Sequence, residues 1–215
     1  MQKTRYALIG ALLIYTAGVF CLAGCGETME TAEVTSLMIE KNGIVTSNIV
    51  EDFGKDFYSI DTLKAMMQEE INSYNASHPA AMSLQTVELS EEIEGGVLVR
   101  LQYASCADYA EFNDEELFYG TPSEAQAAGY SLNAEFVDTD GNAANIGETE
   151  ILAIKDAKIL IIRQSAQVSK VFLPGKVLYM STGTVLAGSK VVELPGPEEE
   201  GNIMWQGELT YVITK

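Results

Sequence analysis

Apolar positions along this chain fall into three regimes. Residues 6–20 form an unbroken uncharged run, residues 60–75 carry a helical stripe, and much of the rest alternates with the period of a strand. Two apolar, β-branched runs over 34–40 and 44–50 flank Lys41-Asn42-Gly43. The Asn-Gly pair supplies the positive φ angles of a type I′ turn and predicts a hairpin. Ile60, Leu63, Met67, Ile71 and Tyr74 then recur at helical spacing, with Lys64, Gln68, Glu69 and Asn72 on the opposite face. Ser59 or Asp61 can cap this helix, and Asn75 with His78-Pro79 ends it.

A second hairpin follows. Val87 and Leu89 lead into the acidic, glycine-rich 91–96 loop, and Val97, Val99, Leu101 and Tyr103 return on a face opposite Leu98, Arg100 and Gln102. The pattern weakens from 107 to 145. It still suggests a short helix over 107–113, a strand over 116–119 and a helix over 122–128. Thr121 would start that last helix with Pro122 in its first turn, and Gly129 would stop it.

After Ile146 the chain reads almost wholly as strand, with runs at 149–154, 158–163, 168–173, 176–181, 184–187 and 190–194. The final strand alternates Leu209, Tyr211 and Ile213 with Glu208, Thr210, Val212 and Thr214. The fold class expected is α+β: a mostly antiparallel sheet with one main amphipathic helix at about 60–75 packed on it, and a strand-rich C-terminal half. Residues 34–215 read as a single domain, with two lobes meeting near 145 as the alternative.

Charge narrows the classes of partner. The chain holds 13 Lys and Arg against 31 Asp and Glu, a formal net charge of −18. Such a chain repels anionic lipid surfaces and phosphate backbones, which removes nucleic acid as a partner. Hydrophobic residues make up 47% of the chain, enough for a sizeable core.

Residues 1–25 carry the most specific signal. Lys3 and Arg5 make a basic start, the 6–20 stretch is shorter than the roughly 20 residues of a membrane span, and Leu22-Ala23-Gly24-Cys25 follows it. Those four residues resemble the lipobox of bacterial lipoproteins. The resemblance implies a signal peptide over 1–24, cleavage after Gly24 and acylation of Cys25, with residues 25–33 as a tether. Two acyl chains give a stable anchor where one does not. A secretory leader cut elsewhere, or an uncleaved anchor helix, is the competing reading. The C-terminal run of short strands ending near Tyr211 is also similar to that of uncharacterised surface lipoproteins of Gram-positive bacteria. With Cys21 in the leader and Cys25 acylated, Cys106 is the remaining thiol. It reads as a small core residue rather than a nucleophile.

Catalytic patterns are sparse. His78 is the only histidine, so any serine or cysteine relay rests on it, and its place at a helix end suits capping. Asp138, Asp140 and Asn142 put oxygen ligands at alternate positions, as a calcium loop begins. Ala143 and Thr149 then depart from the EF-hand pattern, and Asp-Gly also suits a plain turn. Glu91/Glu92, Glu115/Glu116 and Glu198–Glu200 offer paired carboxylates of the kind a glycosidase needs across a cleft, although sequence neighbours do not establish that spacing. Phe53, Phe57, Tyr58, Tyr103, Tyr109, Phe112, Phe118, Tyr119 and Trp205 could build a stacking platform for a sugar, with Trp205 the first candidate to face a ligand. No cofactor is implied. The expectation is a lipid-anchored protein on the extracytoplasmic face of a bacterial membrane, with a non-enzymatic domain that binds a protein, a glycan or a small molecule. A surface hydrolase using paired carboxylates is the alternative.

Overall fold

The computed structural model describes residues 29, 33–90, 93–165, 167–196 and 206–215. The leader, Leu22, Ala23, Gly24, Cys25, Glu91/Glu92, Glu198–Glu200 and Trp205 lie outside the described residues.

In chain order the elements begin with β1 (Ser36–Ile39), β2 (Val45–Asp52), α1 (Ile60–Asn75), β3 (Met82–Leu89) and β4 (Gly96–Tyr103). Then come α2 (Cys106–Asn113), β5 (Leu117–Gly120), α3 (Pro122–Ala127), β6 (Phe136–Asp138), β7 (Ala143–Ala144) and α4 (Glu148–Ala153). β8 (Lys158–Ser165), β9 (Lys170–Phe172), β10 (Val177–Ser181), β11 (Val185–Gly188), β12 (Val191–Glu193) and β13 (Gln206–Thr214) complete the chain. The mixed α/β content fits the α+β expectation. The strands make two sheets rather than one, and α1 is joined by three shorter helices.

The first sheet runs β11-β12-β9-β1-β2-β4-β3 and the second β5-β8-β13-β10-β6-β7. Pairing is antiparallel throughout except for β1 with β9. Strands from both sides of residue 145 share each sheet, so the chain crosses between the sheets repeatedly.

The main core lies between the sheets. Leu37, Ile39, Val45 and the predicted inward face of β4 (Val97, Val99, Leu101, Tyr103) meet Leu160, Ile162, Met180 and Val212 from the second sheet. Met67 and Ile71 of α1 join this core, and Ile60, Leu63 and Tyr74 pack at its edge, so the whole helical stripe faces inward. Ser59 caps α1 by accepting from the Thr62 amide at 3.4 Å, and Asn75 ties its far end to both backbone groups of Met82. The other face of the second sheet forms a separate core. Ile159, Ile161, Tyr211 and Ile213 pack there against Leu132, Phe136, Ala125 of α3 and Ile151 of α4. β8 is therefore buried on both faces, and Ile159 through Ile162 are each no more than 1% exposed.

Two local expectations change. The β1–β2 loop is not a type I′ turn, because Gly43 alone takes a positive φ, at +88°, and Asn42 does not. The Gly43 amide donates to Glu40 O, Glu40 N donates to Ile44 O, and Asn42 Oδ1 takes the Ile44 amide. This is the three-residue loop closed by a left-handed glycine, the other common hairpin solution. Residues 149–154, expected as strand, lie mostly in α4. The Glu150 carboxylate accepts from Gly147 N at 3.0 Å, acids fill the first turn, and only Ile151 is buried. An apolar run of four residues does not distinguish strand from one buried helical turn, and the capping acids decided it.

The segment read as a tether has one described residue before Glu33, and it is not loose. Met29 is 3% exposed and packs with Phe172, Met38 and Val191 on the outer face of the first sheet. Its carbonyl accepts from Asn48 Nδ2 at 3.3 Å, and Asn48 Oδ1 takes Arg100 Nε at 3.3 Å.

Candidate binding cleft

Charge in this chain is segregated. A cleft of about 420 Å³ opens at one end of the two sheets and is lined by Lys41, Lys158, Lys176, Lys190 and Lys215. Five of the 13 cationic residues of an acidic chain thus meet at one place, and Asp156 is the only acid lining it among the described residues. All five lysines are exposed. Each comes from a different junction. Lys41 sits in the β1–β2 loop, Lys158 opens β8, Lys176 precedes β10, Lys190 lies between β11 and β12, and Lys215 follows β13. Strand ends gather there because β9 lies beside β1 in one sheet and β8 beside β13 in the other.

Backbone pairing makes the floor rigid. Lys176 and Lys215 exchange backbone hydrogen bonds of 2.8 and 2.9 Å, and Lys190 Nζ donates to Pro174 O at 2.9 Å. Gly175 lets these segments close up, since a Cβ there would lie 3.1 Å from Thr214 Oγ1 and 3.2 Å from Lys215 C and O. Thr214 is fully buried at the cleft wall, where its hydroxyl faces the Tyr119 phenol, and burial raises the pKa of that phenol.

The carboxylate pair at 115–116 is divided by the extended chain, which sends neighbours to opposite sides. Glu115 accepts from the Tyr109 hydroxyl at 2.8 Å, and burial raises its pKa above the ordinary carboxylate value. Glu116 is bound instead to Arg163 of β8, near Tyr130 and Tyr211. Neither lines the lysine cleft. A carboxyl whose folded pKa is raised stabilises the fold fully below its unfolded value, and that contribution is lost as pH rises through the folded value. Glu115→Gln is therefore expected to raise stability at pH 7 and not at pH 4, read as urea midpoints at both. Glu116→Gln should cost about 1 kcal/mol at pH 7, because Arg163 loses a half-exposed partner.

His78 lies where a helix end was expected. Its ring stacks on Tyr74 at 4.3 Å, Nε2 faces Glu111 Oε1 at 3.3 Å, and Nδ1 lies 3.1 Å from Ser77 Oγ. The order serine, histidine, glutamate is that of a relay, but the hydroxyl is committed elsewhere. Ser77 Oγ donates to Tyr74 O, which also takes the Ser77 and His78 amides. His78 Nδ1 also lies 3.3 Å from Tyr74 O, so both side chains turn to that carbonyl and close the end of α1.

Cys106 is half-buried at the start of α2, and burial pushes its thiol up to about 11 despite the helix N-terminus. Asp138 Oδ1 accepts from the amides of Asp140 and Asn142, both at 2.9 Å, and Asn142 Nδ2 reaches both its oxygens. The segment is the β6–β7 hairpin loop, with Gly141 at φ +81°, and the Asn142 amide leads in holding the Asp138 carboxyl below its usual range. Asp138→Ala should lower the melting temperature at pH 7. That deficit should shrink as pH falls through the carboxylate range, where the wild-type group also loses its charge.

The aromatic residues divide. Tyr103, Tyr109 and Phe112 are core, whereas Phe53, Phe57 and Tyr58 cluster after β2. Phe53 stacks on Tyr58 at 4.9 Å, Phe57 meets Tyr58 edge-on at 4.7 Å, and Phe57 is 78% exposed. Among the described residues no helix is long and apolar enough to cross a membrane. No family model, curated protein or solved structure matches the chain.

Proposed function

We propose that this chain is a lipid-anchored extracytoplasmic binding protein, held by Cys25, with the lysine cleft as its ligand site. The observation that carries the binding reading is the cleft's lining. Among the described residues it gathers five lysines and one acidic side chain, Asp156, a set able to hold an anionic ligand. Of the three carboxylate sets on which hydrolysis could rely, the one among the described residues, Glu115/Glu116, is engaged by Tyr109 and Arg163.

The anchor reading is supported by the basic, apolar and small-small-Cys order of residues 1–25. Burial of Met29 supports a short connection between lipid and domain.

Lysine footprinting tests the site even while the ligand is unidentified. Acetylation of Lys41, Lys176 and Lys215 should slow when the protein is mixed with the small-molecule fraction of a bacterial envelope, while Lys55 and Lys64 stay unchanged. Equal rates at all five positions would remove the cleft as the site. Product release that disappears in Glu115→Gln would instead favour the hydrolase.

A further inference from the structure

We infer that the cleft takes a ligand bearing phosphate groups; this rests on reading the cleft as the binding site. Two features set the chemistry. The lining cations are all lysine, although the chain also contains Arg100 and Arg163. Arginine's planar fork pairs edge-on with carboxylate and phosphate alike, whereas an ammonium is a compact point charge with three rotatable donors that fixes no single plane of approach. Several such charges on mobile stems suit tetrahedral groups that carry more than one negative charge and accept from many directions.

The second feature is the charge of the whole chain. At −18 the protein repels anions at a distance, so holding one requires short-range contacts. The cleft concentrates them, with Asp156 the one acidic side chain in its lining among the described residues and Glu124 near enough to act on Lys158. The 420 Å³ volume admits more than one phosphate group together with part of the stem that carries them.

A soluble phosphate compound and a phosphate on a lipid headgroup present the same chemistry, so the test has an arm for each. The full processed chain in nonionic detergent is titrated calorimetrically with inorganic pyrophosphate, with citrate as the carboxylate control and maltotriose as the neutral one. Vesicles of phosphatidylglycerol in phosphatidylcholine provide the headgroup arm, read by co-sedimentation. Pyrophosphate should bind, and Lys41→Gln with Lys176→Gln should weaken it about tenfold or more. Both side chains are exposed and Lys176 bonds only through its backbone, so the variant's melting temperature should stay at the wild-type value.

Pyrophosphate binding without vesicle binding assigns a soluble phosphate compound. Vesicle binding lost in the lysine variant assigns a headgroup. Citrate or maltotriose binding at the same lysines in place of pyrophosphate would overturn the phosphate class and leave the cleft standing. Pyrophosphate binding indifferent to the lysines, or no binding in either arm, would overturn the inference. Lysine footprinting with envelope extract then decides separately whether the cleft binds at all.

Discussion

Leu160→Ala and Ile161→Ala are each expected to cost about 2–5 kcal/mol, and together to leave too little stability for a folded population at 37 °C. Both side chains are fully buried, yet they share no core. Leu160 points between the sheets toward Leu37, Val45 and Val212, and Ile161 points toward Leu132, Phe136 and Ile151. Each truncation leaves its own cavity in a close-packed interior, so the two costs should add within about 0.5 kcal/mol. Urea unfolding of the single variants, followed by near-ultraviolet and far-ultraviolet circular dichroism, measures this. Coincident transitions and a nearly additive double variant are expected. If one core melted while the other survived, the two would be separate cooperative units and the additivity would not hold.

The second large effect concerns location. Cys25→Ser should abolish acyl labelling and leave the protein unprocessed or released from the membrane fraction. On the proposed anchor the reason is categorical: a hydroxyl replaces the thiol to be acylated, and two acyl chains would supply nearly all of the membrane affinity of an acidic domain. Metabolic labelling with an alkyne fatty acid, followed by fractionation, distinguishes the outcomes. Labelling that persists in Cys25→Ser would sink the anchor assignment. A variant that stays membrane-bound at its full precursor mass would indicate an uncleaved leader.

Local elements were legible where the signal was local. The α1 stripe and Ser59 cap, the inward face of β4, and Thr121 at the head of α3 all follow from spacing or capping chemistry. Thr121 and Glu124 close a reciprocal box, which needs only four consecutive residues. The Asn42-Gly43 pair located a hairpin but not its turn type, because one left-handed glycine sufficed. β6 and β7 were missed because strands of three and two residues are too short to show a period.

The cleft lay beyond such reading for a different reason. Lys41, Lys158, Lys176, Lys190 and Lys215 sit beside strand ends, positions where lysine is ordinary. Nothing in their spacing tells that these particular ends meet. That convergence comes from β9 returning beside β1 and from β8 pairing with β13, contacts made between residues far apart in the chain. The separation of Glu115 from Glu116 was closer to hand, since adjacent residues in an extended segment face opposite ways.

The position of β1 has a mechanical consequence. It is the fourth of seven strands in its sheet, held by β9 on one side and β2 on the other. The covalent path from Cys25 to Met29 is four residues, a leash of roughly 14 Å at full stretch. Behind it, the chain enters β1 at Ser36 and leaves toward Lys41 at the cleft. On the proposed anchor and binding site, a lipid fixed in a membrane and a ligand gripped in the cleft would put tension along the axis of β1. Load in that direction shears several backbone hydrogen bonds at once instead of peeling them one by one, so a pull between anchor and ligand meets the sheet where it resists most.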